Sequence, residues 1–207
     1  MVGTWKINIS TTGMPQKVAT AFAKMNETLI GAEYENIAYI GSQVVNGTNH
    51  AVLAKQTILT GRDTENIVLV IFNEKPSEME ATLVGIERVV EGGGQLGGIK
   101  LADATADIPE DASAVWNDAF EGFVGSKVEP FAYLGSQVVN GVNLIFAAEV
   151  TPVVPNAEST VKIVTINSAT KDVIFTDLLG SKHDNALGYS FTWLKARSLG
   201  APLGEWP

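Results

Sequence analysis

The segment Tyr-Ile-Gly-Ser-Gln-Val-Val-Asn-Gly at residues 39–47 recurs as Tyr-Leu-Gly-Ser-Gln-Val-Val-Asn-Gly at residues 133–141. The offset between the two copies is 137 − 43 = 94 residues, and only Ile40 and Leu134 differ. The same offset places Pro15 on Pro109 and Asn73 on Asn167 without a gap. A register that holds over this length predicts a duplicated structural unit.

A glycine-rich stretch at residues 92–98 lies where the first copy has to end and the second has to begin. Glycine at such a place predicts a flexible joint. We therefore expect a first domain at residues 1–92 and a second at residues 93–207. The second includes a C-terminal extension from residue 188 that has no counterpart of the same length in the first copy.

Each copy contains one segment with helical periodicity. In the first copy, Pro15 is suited to open the helix and Gly31 to end it. Between them the apolar residues recur at spacings of four, three and four: Val18, Phe22, Met25 and Leu29. In the second copy the helix is predicted from Pro109 to Gly125, with Asp107 as its cap and with this apolar face: Ala112, Trp116, Ala119 and Phe123.

Segments rich in β-branched and aromatic residues follow each helix. They lie at residues 37–45, 48–59, 67–72 and 81–90 in the first copy, and at 131–139, 142–151, 161–166 and 173–179 in the second. With a short leading strand near Trp5 or Ile99, the order is β-α-β-β-β-β. We therefore predict an α+β fold, in which each domain packs one long helix across an antiparallel sheet of four to five strands.

Composition excludes several classes of function. The formal charge of −9 opposes binding to nucleic acid and to anionic membrane surfaces. The chain has no cysteine and only two histidines, His50 and His183, at unrelated repeat positions. No metal site, cofactor or catalytic triad is therefore expected, and we predict that the protein is not an enzyme. We recognise no signal peptide or transmembrane segment, and expect a soluble chain of unknown compartment.

The Gly-rich joint formally matches the Gly-x-Gly-x-x-Gly pattern of dinucleotide-binding loops. Such a loop needs a following helix whose N-terminus meets the phosphates, whereas residues 99–101 are typical of a strand. The pattern favours a linker, or a head segment of the second copy, over a nucleotide-binding loop.

The repeated segment itself is typical of a tight hairpin, because Asn-Gly stands between two strand segments. Two neighbouring valines cannot both face inward on a pleated strand, so at least one should be exposed. An exposed apolar hairpin tip is a candidate for filling an apolar groove of a partner.

These residues fit the Gln-x-Val-x-Gly signature of the cystatin and stefin family, and the chain resembles a tandem duplication of a cystatin-like domain. The resemblance implies reversible inhibition of papain-like cysteine proteases by a wedge made of a glycine head and two hairpin loops. It also implies the protease-binding residues. These are Gly3, Gln43, Val44, Val45, Asn46 and Gly47 in the first copy, and Gly97, Gly98, Gln137, Val138, Val139, Asn140 and Gly141 in the second.

The second loop departs from the family pattern. Many cystatins carry Pro-Trp there, whereas residues 73–80 and 167–172 contain no tryptophan.

The alternative to protease inhibition is a non-inhibitory module that binds another protein or peptide, or serves a structural role. The long hairpin also leaves open a domain-swapped homo-oligomer.

Overall fold

The computed structural model describes residues 3–59, 64–75, 81–93 and 97–179. The first repeat contains β1 (Trp5–Ser10), α1 (Gln16–Thr28), β2 (Ala32–Val45), β3 (Gly47–Ile58), β4 (Thr64–Glu74) and β5 (Ala81–Glu91). The second contains β6 (Ile99–Leu101), α2 (Glu110–Ala119), β7 (Ser126–Val139), β8 (Gly141–Pro152), β9 (Thr160–Asn167) and β10 (Val173–Leu179). Each repeat therefore follows the predicted order of one strand, one helix and four strands.

The strands of each repeat pair in chain order. One antiparallel sheet has the order β1-β2-β3-β4-β5, and the other has the order β10-β9-β8-β7-β6. Because every connection joins neighbouring strands, each sheet is a simple meander with one helix inserted after its first strand.

The prediction of an α+β fold, with two cystatin-like domains each built on a long helix, is wrong. Strands take 58 % of the described residues and helices only 14 %, so the chain is mostly β. Helix α1 has 13 residues and α2 has 10, whereas β2 and β7 have 14 residues each. Each short helix covers part of one sheet face, and most of the buried residues belong to the strands.

The end of α2 accounts for part of this error. The helix ends at Ala119, and Gly122 and Gly125 both take positive φ, of 70° and 98°. Phe123 therefore lies outside the helix and is 48 % exposed, although its ring contacts that of Phe120. The predicted cap at Asp107 is also wrong, because the N-cap residue is Pro109 and it makes no side-chain cap bond.

The two sheets share one apolar core between them. Alternate residues of β4, Ile67, Leu69 and Ile71, face a cluster that also contains Ile163 of β9 and Leu134 of β7. The intervening residues of β4 face the other way, toward α1. Both faces of the central strands are therefore covered, which explains why β4 is apolar at every position from Ile67 to Phe72 and why β9 is buried at nearly every position.

A helix covers the outer face of each sheet. Phe22 and Met25 of α1 are buried against the first sheet, and Trp116 of α2 is buried against Phe146 of the second. The layers run helix, sheet, sheet, helix. Sequence reasoning did not anticipate the central contact. The predicted boundary near residue 92 stays a prediction about independently folding units, and the predicted extension from residue 188 lies outside the described residues.

Candidate functional site: two hairpin ends

The β2–β3 turn carries the first repeated segment at one end of the first sheet. In this turn Val45 pairs with Gly47 and Val44 pairs with Thr48. Val44 is 68 % exposed, Asn46 is exposed and Val45 is half-buried. The pleat argument is confirmed here, because one valine of the pair points outward while the other packs partly against the protein.

The β7–β8 turn repeats this arrangement in the second sheet. Val139 pairs with Gly141 and Val138 pairs with Val142. Val138 is 72 % exposed and Val139 is 37 % exposed, so both valines contribute apolar surface in this copy. We call the region around residues 43–47, and the equivalent region around 137–141, the hairpin end of each repeat.

Glycine closes both turns for a steric reason. Gly47 has φ of 97° and Gly141 has φ of 90°, a conformation that side chains disfavour. A Cβ atom on Gly47 would lie 2.6 Å from the carbonyl oxygen of Glu74, and one on Gly141 would lie 2.7 Å from Cβ of Ala169. The hairpin turn therefore packs directly against the end of β4 in the first repeat and against the turn between β9 and β10 in the second.

The glycine heads lie on the other side of the same turns. The amide of Gly3 donates to the carbonyl of Val44 at 2.8 Å, and the side-chain amide of Gln43 donates back to the carbonyl of Gly3 at 2.9 Å. In the second repeat, Gln137 donates to the carbonyl of Gly97 at 2.8 Å. Of the two glycines expected there, Gly97 is the one that Gln137 holds, and Gly98 adjoins it in the chain.

All the predicted binding residues are thus brought together in two groups, one at each hairpin end. Within each group the head adjoins the first hairpin on one side, and the end of β4 or β9 adjoins it on the other. The second turn of the first repeat includes residues 76–80, which lie outside the described residues. The second turn of the second repeat is described, and it is polar. Its backbone amides at Ala169 and Thr170 donate to the side-chain oxygen of Asn167, each at 3.0 Å.

Sequence reasoning missed a row of side-chain amides behind each hairpin. Asn49 donates to Gln43 at 3.1 Å, and Asn73 donates to Asn49 at 2.8 Å. In the second repeat, Asn143 donates to Gln137 at 3.4 Å and Asn167 donates to Asn143 at 2.9 Å. Each pair recurs at the offset of 94 residues, and that recurrence is the signal that could have revealed the row.

A second missed feature belongs to the first repeat alone. His50 is buried, and its Nδ1 lies 3.1 Å from the hydroxyl of Tyr39. Its Nε2 lies 3.3 Å from Oε2 of Glu74 but makes no aligned hydrogen bond, while Glu74 also pairs with Lys17. Burial lowers the pKa of His50, and the hydrogen bond from Lys17 lowers the pKa of Glu74. The equivalent residue in the second repeat is Leu144.

The two hairpin ends occupy separate regions of the molecule. The amide of Gly92 donates to the carbonyl of Glu65, which lies at the end of β4 remote from Gly47. Gly92 also bridges to Ile99, which pairs with Gln137 at the second hairpin end. The second hairpin end therefore adjoins the end of the first sheet that is farthest from the first hairpin. Along β4 alone that distance is roughly 33 Å.

Comparison with protein-family models and with curated protein sequences gives no match for this chain. Within the described ranges, no helix is both long enough and apolar enough to cross a membrane.

Proposed function

We propose that the protein is a reversible inhibitor of papain-like cysteine proteases and that each hairpin end occludes one protease cleft. One observation supports the proposal: in each repeat the glycine head and the valine hairpin lie side by side, with Val44 or Val138 directed outward. In the second repeat, the described second turn lies beside them as well. The similarity of the repeated segment to the Gln-x-Val-x-Gly hairpin of cystatins supplies the class of partner.

Physical considerations support a groove-filling role. Fully burying a valine side chain contributes about 1.5 kcal/mol, so the exposed valines at each end offer a modest apolar anchor. The turn that presents them is held by strand pairing and by close contact at Gly47 or Gly141. A rigid tip loses little conformational entropy on binding, which leaves more of the contact energy for affinity. The mechanism requires no nucleophile, metal or cofactor from this chain.

The separation of the two ends implies two partner molecules for each chain. The hairpins are not placed to enter one cleft together, because the second adjoins the far end of the first sheet. Each repeat should then bind independently of the other. The second repeat should bind more weakly where the partner needs an apolar second turn, because Ser168, Thr170 and Asp172 make its turn polar.

That polar turn also favours a second candidate, a module that binds a different protein or peptide without inhibiting a protease. In this case the valine hairpins would still form the contact surface, but papain would not be the partner.

The test is a titration of active papain with the purified chain, followed through hydrolysis of a fluorogenic peptide. Val44→Asp and Val138→Asp should each weaken binding at one end about 100-fold or more, because binding would bury an unpaired carboxylate. The matched control is Val124→Asp, since Val124 is 84 % exposed and lies beside Gly125 at the opposite end of β7.

Inhibition by the unmodified chain and by the control, but not by a chain carrying both hairpin substitutions, is the expected result. Equal inhibition by all variants would refute the hairpin mechanism. No inhibition by the folded, unmodified chain would refute the protease assignment and favour the second candidate.

A further inference from the structure

The amide row behind each hairpin crosses the sheet in a straight line. Gln43, Asn49 and Asn73 occupy directly paired positions on β2, β3 and β4. Each donates through its side-chain nitrogen toward the head, so the hydrogen bonds run in one direction from Asn73 to the carbonyl of Gly3. We call this row, and its equivalent of Gln137, Asn143 and Asn167, the amide ladder.

The ladder reaches the second turn as well as the head. In the second repeat, Asn167 donates to the backbone carbonyl of Asn140 at 3.2 Å and accepts from two backbone amides of the second turn. Its side chain is buried, with a 2 % exposed surface, and Asn143 beside it is 9 % exposed. Buried amides with filled hydrogen-bonding capacity specify one geometry, because any other arrangement leaves polar groups unpaired.

Folding alone does not explain the polar choice at these positions. The ladder occupies the next position along the strand faces that form the apolar core between the sheets. On β4, for example, Asn73 lies two residues after Ile71 and on the same face. An apolar residue at this step would extend the core. Both repeats place amides there instead, and both ladders end on the carbonyl of a glycine head.

We propose that Gln43 and Gln137 are positioning residues rather than contact residues, and that the amide ladder fixes each glycine head against its hairpin. This proposal rests on the proposed function for its consequence in binding, because a pre-positioned head reduces the entropy lost on association. The positioning itself is a property of the free protein and can be measured without any partner.

Gln43→Glu isolates the bond to the head. A carboxylate at residue 43 still accepts from Asn49, but it cannot donate to the carbonyl of Gly3. Gln43→Met removes both bonds with little change in shape, and Gln16→Glu, on the exposed start of α1, controls for the added charge.

The readout is the exchange protection of the Gly3 amide, which donates to the carbonyl of Val44. Gln43→Glu should lower this protection about tenfold at pH 7, the net effect of one hydrogen bond. Below about pH 4 the protonated carboxyl can donate again, so protection should recover. Gln43→Met should show low protection at both pH values, and the control should match the unmodified chain.

The consequence for binding is tested by measuring papain affinity in chains that also carry Val138→Asp, so that only the first hairpin end can bind. Gln43→Glu should weaken papain binding about tenfold at neutral pH, and Gln16→Glu should not. Unchanged Gly3 protection in Gln43→Glu would overturn the positioning role. Lost protection with unchanged binding would overturn its importance for binding. If no variant binds papain, the proposed function fails, while the exchange data still decide the role of Gln43.

Discussion

Replacing Leu53 with alanine tests whether the two repeats fold as one unit. Leu53 is fully buried in the core between the sheets, where residues of both repeats meet. Truncating a fully buried leucine costs about 3 kcal/mol through lost transfer energy and the remaining cavity. For a chain of this length, that corresponds to a fall in Tm of about 6–12 °C.

The measurement is hydrogen exchange followed by mass spectrometry, which reports β4 and β9 separately. Because the cluster around Leu53 includes Ile163 of β9, opening the core should expose both strands, so their protection should fall together. Val84→Ala on β5, where the side chain is 49 % exposed, should change stability by less than about 0.5 kcal/mol. Loss of protection in β4 with none in β9 would refute the shared core as a cooperative unit.

Three further predictions concern single positions, each measured by chemical denaturation. Burial raises the pKa of Glu87 to about 7, so its ionisation costs stability as pH rises from 4.5 to 7. The free energy of unfolding of Glu87→Gln should equal that of the unmodified chain at pH 4.5. At pH 8 it should be higher by about 1 kcal/mol after allowing for solvent screening. A rise at both pH values would contradict this cause. Burial lowers the pKa of His50, so stability should fall as pH drops below 6.5 in the presence of Glu74 and Lys17. His50→Leu, which introduces the residue found at Leu144, should make stability depend less on pH in this range. An unchanged dependence on pH would contradict the role of His50. Gly141→Ala should cost about 1–3 kcal/mol, because of its positive φ and the approach of Ala169, and a neutral result would show that the second turn yields.

The sequence was sufficient to predict the repeat, the hairpins and most strands, because these depend on local patterns. Asn-Gly at residues 46–47 and 140–141 determines the turns, and the β-branched segments coincide with β2–β5 and β7–β10. The lengths of the helices were not predictable from apolar spacing alone. Phe123 continues the spacing of α2, yet the chain has already turned at Gly122, and its ring contacts Phe120 from outside the helix.

The shared core and the amide ladder depend on tertiary contacts. Continuous apolar segments such as residues 67–72 indicate burial on both faces, but they do not say that the second cover is the other repeat. Considered individually, Asn49 and Asn73 are typical of polar residues that flank turns. Only strand pairing shows that they stand in line with Gln43 and reach the glycine head.

The most direct test of occlusion by the hairpin ends is calorimetric titration of the chain with two forms of inactivated papain. In one form a small methylthio group blocks the catalytic cysteine and leaves the cleft open, and in the other a peptide-like covalent inhibitor fills the cleft. We expect binding to the open form, at up to two papain molecules per chain, and none to the filled form. Equal binding to both forms, or no binding to the open form, would contradict occlusion of the cleft.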